Sequence, residues 1–222
     1  PFAPDGVNII VRRMVFPSIF ITLVLFGFSD SRRQLSVADW SEDVDFLTEQ
    51  LSKKHAAPET ERPLKKLLAD AASVKQRLGT LDREQIILEL TRLAASFGDA
   101  HTEISLAQPA VGFHRFPLGL YHFDHELRVI AVDREHADLL GTRLLSVSDR
   151  KITDIMERIQ PLLSDDFGNP KEIYHTGPAF LTIPELLAGL QIGAKNAPIQ
   201  YVFEDDGGNR KQAAVPGIMV LV

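Results

Sequence analysis

The sequence predicts an α+β chain, with an N-terminal helical bundle followed by a small β-barrel or sandwich carrying two or more helices. Three observations predict it. Apolar residues recur at helical spacing in three successive stretches between residues 39 and 97. After Thr102 the period changes to the alternation of strands. Polar and glycine turns then separate short apolar runs at hairpin spacing.

The first helix is expected from Asp39, where Trp40, Val44, Leu47 and Leu51 share one face and acids hold the other. His55-Ala56-Ala57-Pro58 ends it. A second helix is expected over 61–78, with Pro63 in its first turn and Gly79 just past its end. Asp82 with Gln85 makes a capping-box start for a third, whose stripe is Ile86, Ile87, Leu90, Leu93, Ala94 and Phe97. Gly98 then suits a left-handed position just past that helix.

"TEISL" (102–106) reads as a short strand. "FPLGLYHF" and "LRVIAV" flank Asp124-His125-Glu126 as a hairpin, and "REHADLL" reads as a short helix. "TRLLSVS" is a strand, Asp149-Arg150 a turn, and "ITDIMERIQ" and "IPELLAGL" are helices. "IQYVFED" and "NRKQAAV" flank Asp206-Gly207-Gly208, a further hairpin. "AQPAVGFHR" breaks both periods, so the expected units are a leader (1–34), a helical domain (35–110) and a strand-rich domain (111–222).

Composition narrows function. Hydrophobic residues at 45% and charged residues at 24% of 222 are globular proportions. Lys+Arg 24 against Asp+Glu 30 gives a net charge of −6, and no basic stripe interleaves with aromatics, so nucleic-acid binding is not expected. The absence of cysteine excludes disulfides, thiolate metal sites, a cysteine nucleophile and a lipoprotein anchor. Arg12-Arg13 precede an uncharged run from Met14 to Phe28, too short for the roughly 20 residues of a spanning helix but suited to a secretion signal. Gly27-Phe28-Ser29 supplies a small-x-small cleavage pattern. Secretion or periplasmic location is expected, with no stable membrane insertion after signal removal; an uncleaved anchor is the alternative.

Nucleophile motifs are sparse. There is no G-x-S-x-G, and the one S-x-x-K, Ser148 to Lys151, spans a predicted turn where the two side chains cannot share a helix face. His122-Phe123-Asp124-His125, with His114 and His136 elsewhere, gathers ligand-type residues but no HExxH; these read as turn residues, and no metal or cofactor is expected. On spacing alone His101 serves the joint after the third helix structurally.

A resemblance changes that weight. "SFGDAHTEISL" resembles the Gly-Asp-Gly-His-Thr segment of the C-terminal processing and tricorn-type serine peptidase family, on Gly98, Asp99, His101 and Thr102. "DWSEDVDFLTEQLSKKHAAP" is similar to that family's helical N-terminal region, and 127–163 is similar to its PDZ-like module. The resemblance spans about residues 40–215 and implies a groove for a peptide C-terminus, placed over Leu139, Leu140, Gly141, Thr142, Arg143 and Leu144. In the tricorn-type branch it implies that His101 is the general base for a serine; in the serine–lysine branch His101 is structural. Ala100 departs from the usual glycine or serine. The family's nucleophile lies in a core after the PDZ-like module, and the run "GIMVLV" to Val222 reads as a domain cut before that core. The expected function is therefore recognition of peptide or protein C-termini by a portion not proteolytic alone. Alternatives are a non-catalytic carrier of the same fold, a piece of a complete endopeptidase, and a metallohydrolase on the histidine-rich hairpin.

Overall fold

The computed structural model describes residues 35–54, 61–98, 102–106, 108, 111–124, 126–164, 172–193 and 197–215. The architecture is α+β, as expected. Helices α1 (Val37–Lys54), α2 (Glu61–Arg77) and α3 (Arg83–Ala95) come first. Strands β1 (Leu118–Phe123), β2 (Glu126–Val132), β3 (Arg143–Val147) and β4 (Arg150–Lys151) follow, then α4 (Ile152–Ile159), α5 (Glu172–His175), α6 (Gly177–Phe180) and α7 (Pro184–Gly189). The hairpin of β5 (Ile199–Glu204) and β6 (Arg210–Val215) comes last.

Helix α1 begins two residues before the expected Asp39. The Asp39 carboxylate accepts from the Ser36 backbone N–H at 2.9 Å, and the Ser36 hydroxyl accepts from the Asp39 N–H at 3.2 Å, a reciprocal cap. The predicted stripe of Trp40, Val44, Leu47 and Leu51 is buried. Asp82 and Gln85 form the predicted capping box of α3, with bonds of 2.9 and 3.0 Å. Helix α3 buries residues on nearly every face because it lies between α1 and α2 on one side and α7 on the other. A Cβ on Gly189 would lie 2.9 Å from Leu88 Cδ1 and 3.2 Å from the Glu84 carbonyl carbon, so glycine sets how closely α7 approaches α3.

The strands lie in one sheet, ordered β1-β2-β3-β5-β6 with β4 beside β3. Ser148 and Asp149 both take positive φ (48° and 63°) in the β3–β4 turn, the geometry of a tight two-residue hairpin. This keeps the Ser148–Lys151 pair in a turn, as the sequence predicts. In the β5–β6 turn the Asp205 carboxylate accepts from the Gly207 and Asn209 backbone N–H groups, each at 2.9 Å.

The inner sheet face, including Val129, Val147, Tyr201 and Phe203, packs on Ile155 and Ile159 of α4 and on Leu181 to Leu187. The Tyr201 hydroxyl donates to the Leu181 carbonyl at 2.8 Å, and burial drives its pKa far up. One core cluster runs from Trp40 to Ala213 across the expected 110/111 seam.

Strand β4 and helices α5 and α6 are not among the expected elements, and two expected elements differ. Residues 102–105 form no strand, because no described strand pairs with them. "REHADLL" contributes only a single 3-10 turn, Ala137–Leu139. Among the described residues no helix is long and apolar enough to cross a membrane, and the leader lies outside them.

Candidate functional site

At the joint after α3, Gly98 adopts φ 71° and its N–H meets the Ala95 carbonyl at 3.1 Å. This is the left-handed helix end the sequence predicts. Asp99, Ala100 and His101 lie outside the described residues. Thr102 is fixed from the far side, since the Ser164 hydroxyl donates to its carbonyl. The joint is thus tied to the segment that follows α4.

Two other histidines face carboxylates rather than hydroxyls. His114 precedes β1, and Glu185 stands in the first turn of α7. The His114 backbone N–H donates to Glu185 Oε2 at 3.0 Å while its ring Nδ1 meets Oε1. Their side chains are 10% and 9% exposed, so the pair is a buried clasp between the sheet's entry strand and α7. His136 Nδ1 lies 2.7 Å from Asp133 Oδ1, and that contact holds the Asp133 carboxyl below its usual range.

Of the histidines weighed together in the sequence, the described ones, His114, His122 and His136, each face a different partner. His122 faces the Tyr174 ring with centroids 4.5 Å apart, and His125 lies outside the described residues. A different group, Asp133, Glu135 and His136, brings ligand-type atoms within 4.8 Å of one another, which the Asp-x-Glu-His spacing could have signalled.

Of the six residues assigned to a peptide groove, Leu139, Thr142 and Leu144 are buried. Leu140 is exposed, and Gly141 takes φ 79° in the turn entering β3. Arg143 and Leu144 belong to β3, whose two sides are occupied by β5 and by β2 with β4. A strand paired on both sides has no edge to add to.

Among the described strands the outermost in the sheet are β1 and β6. Strand β6 starts with Arg210-Lys211, and charge on an edge discourages pairing. Strand β1, Leu-Gly-Leu-Tyr-His-Phe, contains no Lys, Arg, Asp, Glu or Pro. Its Tyr121 and Phe123 are 47% and 49% exposed, with rings 4.9 Å apart on the outward face. Helix α5 lies beside this strand through the His122–Tyr174 contact. Sequence reasoning found the hairpin but missed the edge, because strand order is set by long-range pairing. The cue was an uncharged strand with alternate aromatics.

No family model matches the sequence, and no curated protein matches it. Two solved structures do. Both are of mature CPAF, a chlamydial serine protease of the C-terminal processing type. The structure complexed with lactacystin matches with a TM-score of 0.57 at 15% identity, covering 81% of this chain and 34% of that one. The other mature CPAF structure matches with a TM-score of 0.54 at the same identity and coverage. The chain spans about a third of the length of these structures, and what the likeness shows is an α+β fold similar to that part of CPAF.

Proposed function

We propose that this chain is the N-terminal, peptide-recognition portion of an exported serine-peptidase-like protein, and that it binds C-terminal peptide segments by strand addition to β1. The observation that carries the reading is β1 as an outermost described strand, without Lys, Arg, Asp, Glu or Pro and carrying two exposed aromatics, with α5 and α6 beside it. An added strand would gain main-chain hydrogen bonds along that edge, and alternate side chains would meet Tyr121 and Phe123. The protease-like fold supports the family context, and the sequence resemblance supplies the expectation of a PDZ-like module. On this reading the hydrolytic centre needs a nucleophile that the chain's own motifs do not offer. Export rests on the 14–28 leader pattern.

The test is titration of the full chain with a labelled peptide bearing a free apolar C-terminus. Micromolar or weaker affinity is expected, about −8 kcal/mol or less favourable. Amidation of the peptide should abolish binding, and Tyr121→Ala with Phe123→Ala should weaken it with the fold intact. Equal affinity for acid and amide, or an unchanged constant in the double variant, would overturn the assignment.

A further inference from the structure

Two cavities adjoin where α2 and α3 meet the far ends of α4 and α7. One, of about 490 Å³, is lined by Lys66, Asp70 and Gln160 among others; the second, of about 340 Å³, is lined by Arg158 and Leu190 among others. Arg77, Glu89, Arg92 and Pro161 line both, so the two open cavities meet along these four side chains as one grooved surface.

Its charge is opposite to that of the chain. Among the described residues, four cations, Lys66, Arg77, Arg92 and Arg158, line it against two carboxylates, Asp70 and Glu89, an excess of two positive charges in a sequence of net charge −6. Lys66 is paired with Asp70, and Glu89 is shared between Arg77, at 2.9 Å, and Arg92. The Arg158 guanidinium donates to the Leu190 carbonyl at 3.2 Å. One carboxylate shared by two guanidinium groups leaves donors for an incoming anion.

Spacing selects the kind of anion. Lys66 and Arg77 are eleven positions apart on α2, about 16 Å along the axis, too far for one small anion to bridge. An extended peptide covers that distance in about five residues. Val74, Leu93 and Leu163 supply apolar floor between the cations. Among the described residues no aromatic side chain lines either cavity, so they offer a nucleic acid no stacking platform.

We propose that this groove binds an extended partner segment in which carboxylates alternate with apolar side chains. The site is separate from the β1 edge. The test uses the full chain and a fluorescent peptide of about six alternating Glu and Leu residues, its C-terminus amidated so that recognition of a terminal carboxylate contributes nothing. Saturable binding that weakens as salt rises is expected. Lys66→Glu with Arg77→Gln, at positions 65% and 44% exposed, should weaken it about tenfold or more while circular dichroism stays unchanged. Glu89→Gln should tighten binding, because it frees Arg77 and Arg92, an effect that a purely structural role would not produce. The proposal is overturned by absent binding, by equal binding of a Lys-Leu peptide, by equally effective competition from a single-stranded oligonucleotide, or by a Glu89→Gln variant that binds no more tightly.

Discussion

Replacing Glu185 with alanine should destabilise this protein more than replacing its partner His114, and the inequality follows from where the bonds originate. The Glu185 carboxylate accepts twice from one residue, from the His114 ring and from the His114 backbone N–H. Glu185→Ala removes both acceptors at a site where the two side chains are 9–10% exposed. It strands a ring nitrogen and an amide, each costing about 1–3 kcal/mol when buried without a partner. Together they come to about 2–6 kcal/mol, centred on about 3–5 kcal/mol. His114→Ala leaves the backbone N–H in place, so the carboxylate keeps one bond and the loss should be about 1–3 kcal/mol. For a chain of this size, about 3–5 kcal/mol corresponds to roughly 6–20 °C in Tm. Urea melts of both single variants and the double variant measure the terms, with a coupling energy of about 1–3 kcal/mol expected. A His114→Ala loss equal to or larger than that of Glu185→Ala, or losses below about 0.5 kcal/mol in both, would refute the clasp.

Gly189→Ala should cost about 1–3 kcal/mol, because the new methyl meets Leu88 and the Glu84 backbone. Gly79→Ala, with open space around it, should be neutral or stabilise by up to about 1 kcal/mol; thermal melts that reversed this order would contradict the α3–α7 packing. Acid should loosen the sheet's outer face. Arg143, then Arg128, lowers the Glu126 pKa, and hydrogen bonds led by the Asn209 backbone N–H lower that of Asp205. Folded pKa values below the unfolded ones add stability that is present above about pH 4 and lost as pH falls through the folded values. A Glu126→Gln, Asp205→Asn variant should show a flatter acid limb in urea melts, and an unchanged limb would remove these groups as the cause. The isolated chain should hydrolyse no peptide above background, and His101→Ala should change nothing in it; purified activity that vanished in that variant would reveal a missed nucleophile. Joined to a downstream core of the tricorn type, the same substitution should slow turnover by about 10²–10⁴.

Legibility followed the range of the interaction. The stripe Trp40, Val44, Leu47 and Leu51 and the box of Asp82 with Gln85 depend on neighbours within a few residues, and both stand as read. The cap from Ser36 to Asp39 was equally local but went unread, since aspartate replaces the longer glutamate or glutamine of the usual box. "TEISL" alternates like a strand, yet alternation without a partner strand does not make one. His114 and Glu185 are 71 positions apart, and nothing in either neighbourhood announces the other. The groove expectation fell on the residues around β3 because sequence reveals strands but not their order. Only the pairing of β3 with β5 places β3 inside the sheet and leaves β1 outside. His101, the residue on which the catalytic expectation turns, lies outside the described residues.

The ion pairs on the sheet's outer face reinforce a register that the buried core sets. Glu126 holds Arg128 and Arg143, Arg143 reaches Glu204, and Arg128 reaches Asp206 at 2.8 Å, joining β2, β3, β5 and the β5–β6 turn. These groups are all substantially solvated, and exposed pairs contribute about 0–1 kcal/mol each. Tyr201 and Phe203, fully buried on the opposite face, each contribute more through burial alone, about 1.5–3 kcal/mol for a side chain of that kind. A one-residue slip of β3 would turn Arg143 into the core and Leu144 out to water. The penalty for that slip is far larger than the gain from any single pair, so the charges discriminate between registers that the core already separates. The network stops at β2. Beyond it, on β1, the outward positions opposite Arg128 and Glu126 are Tyr121 and Phe123, aromatic and half-exposed. On the proposed reading, the edge that accepts another strand is the one where the sheet's own charge pairing ends.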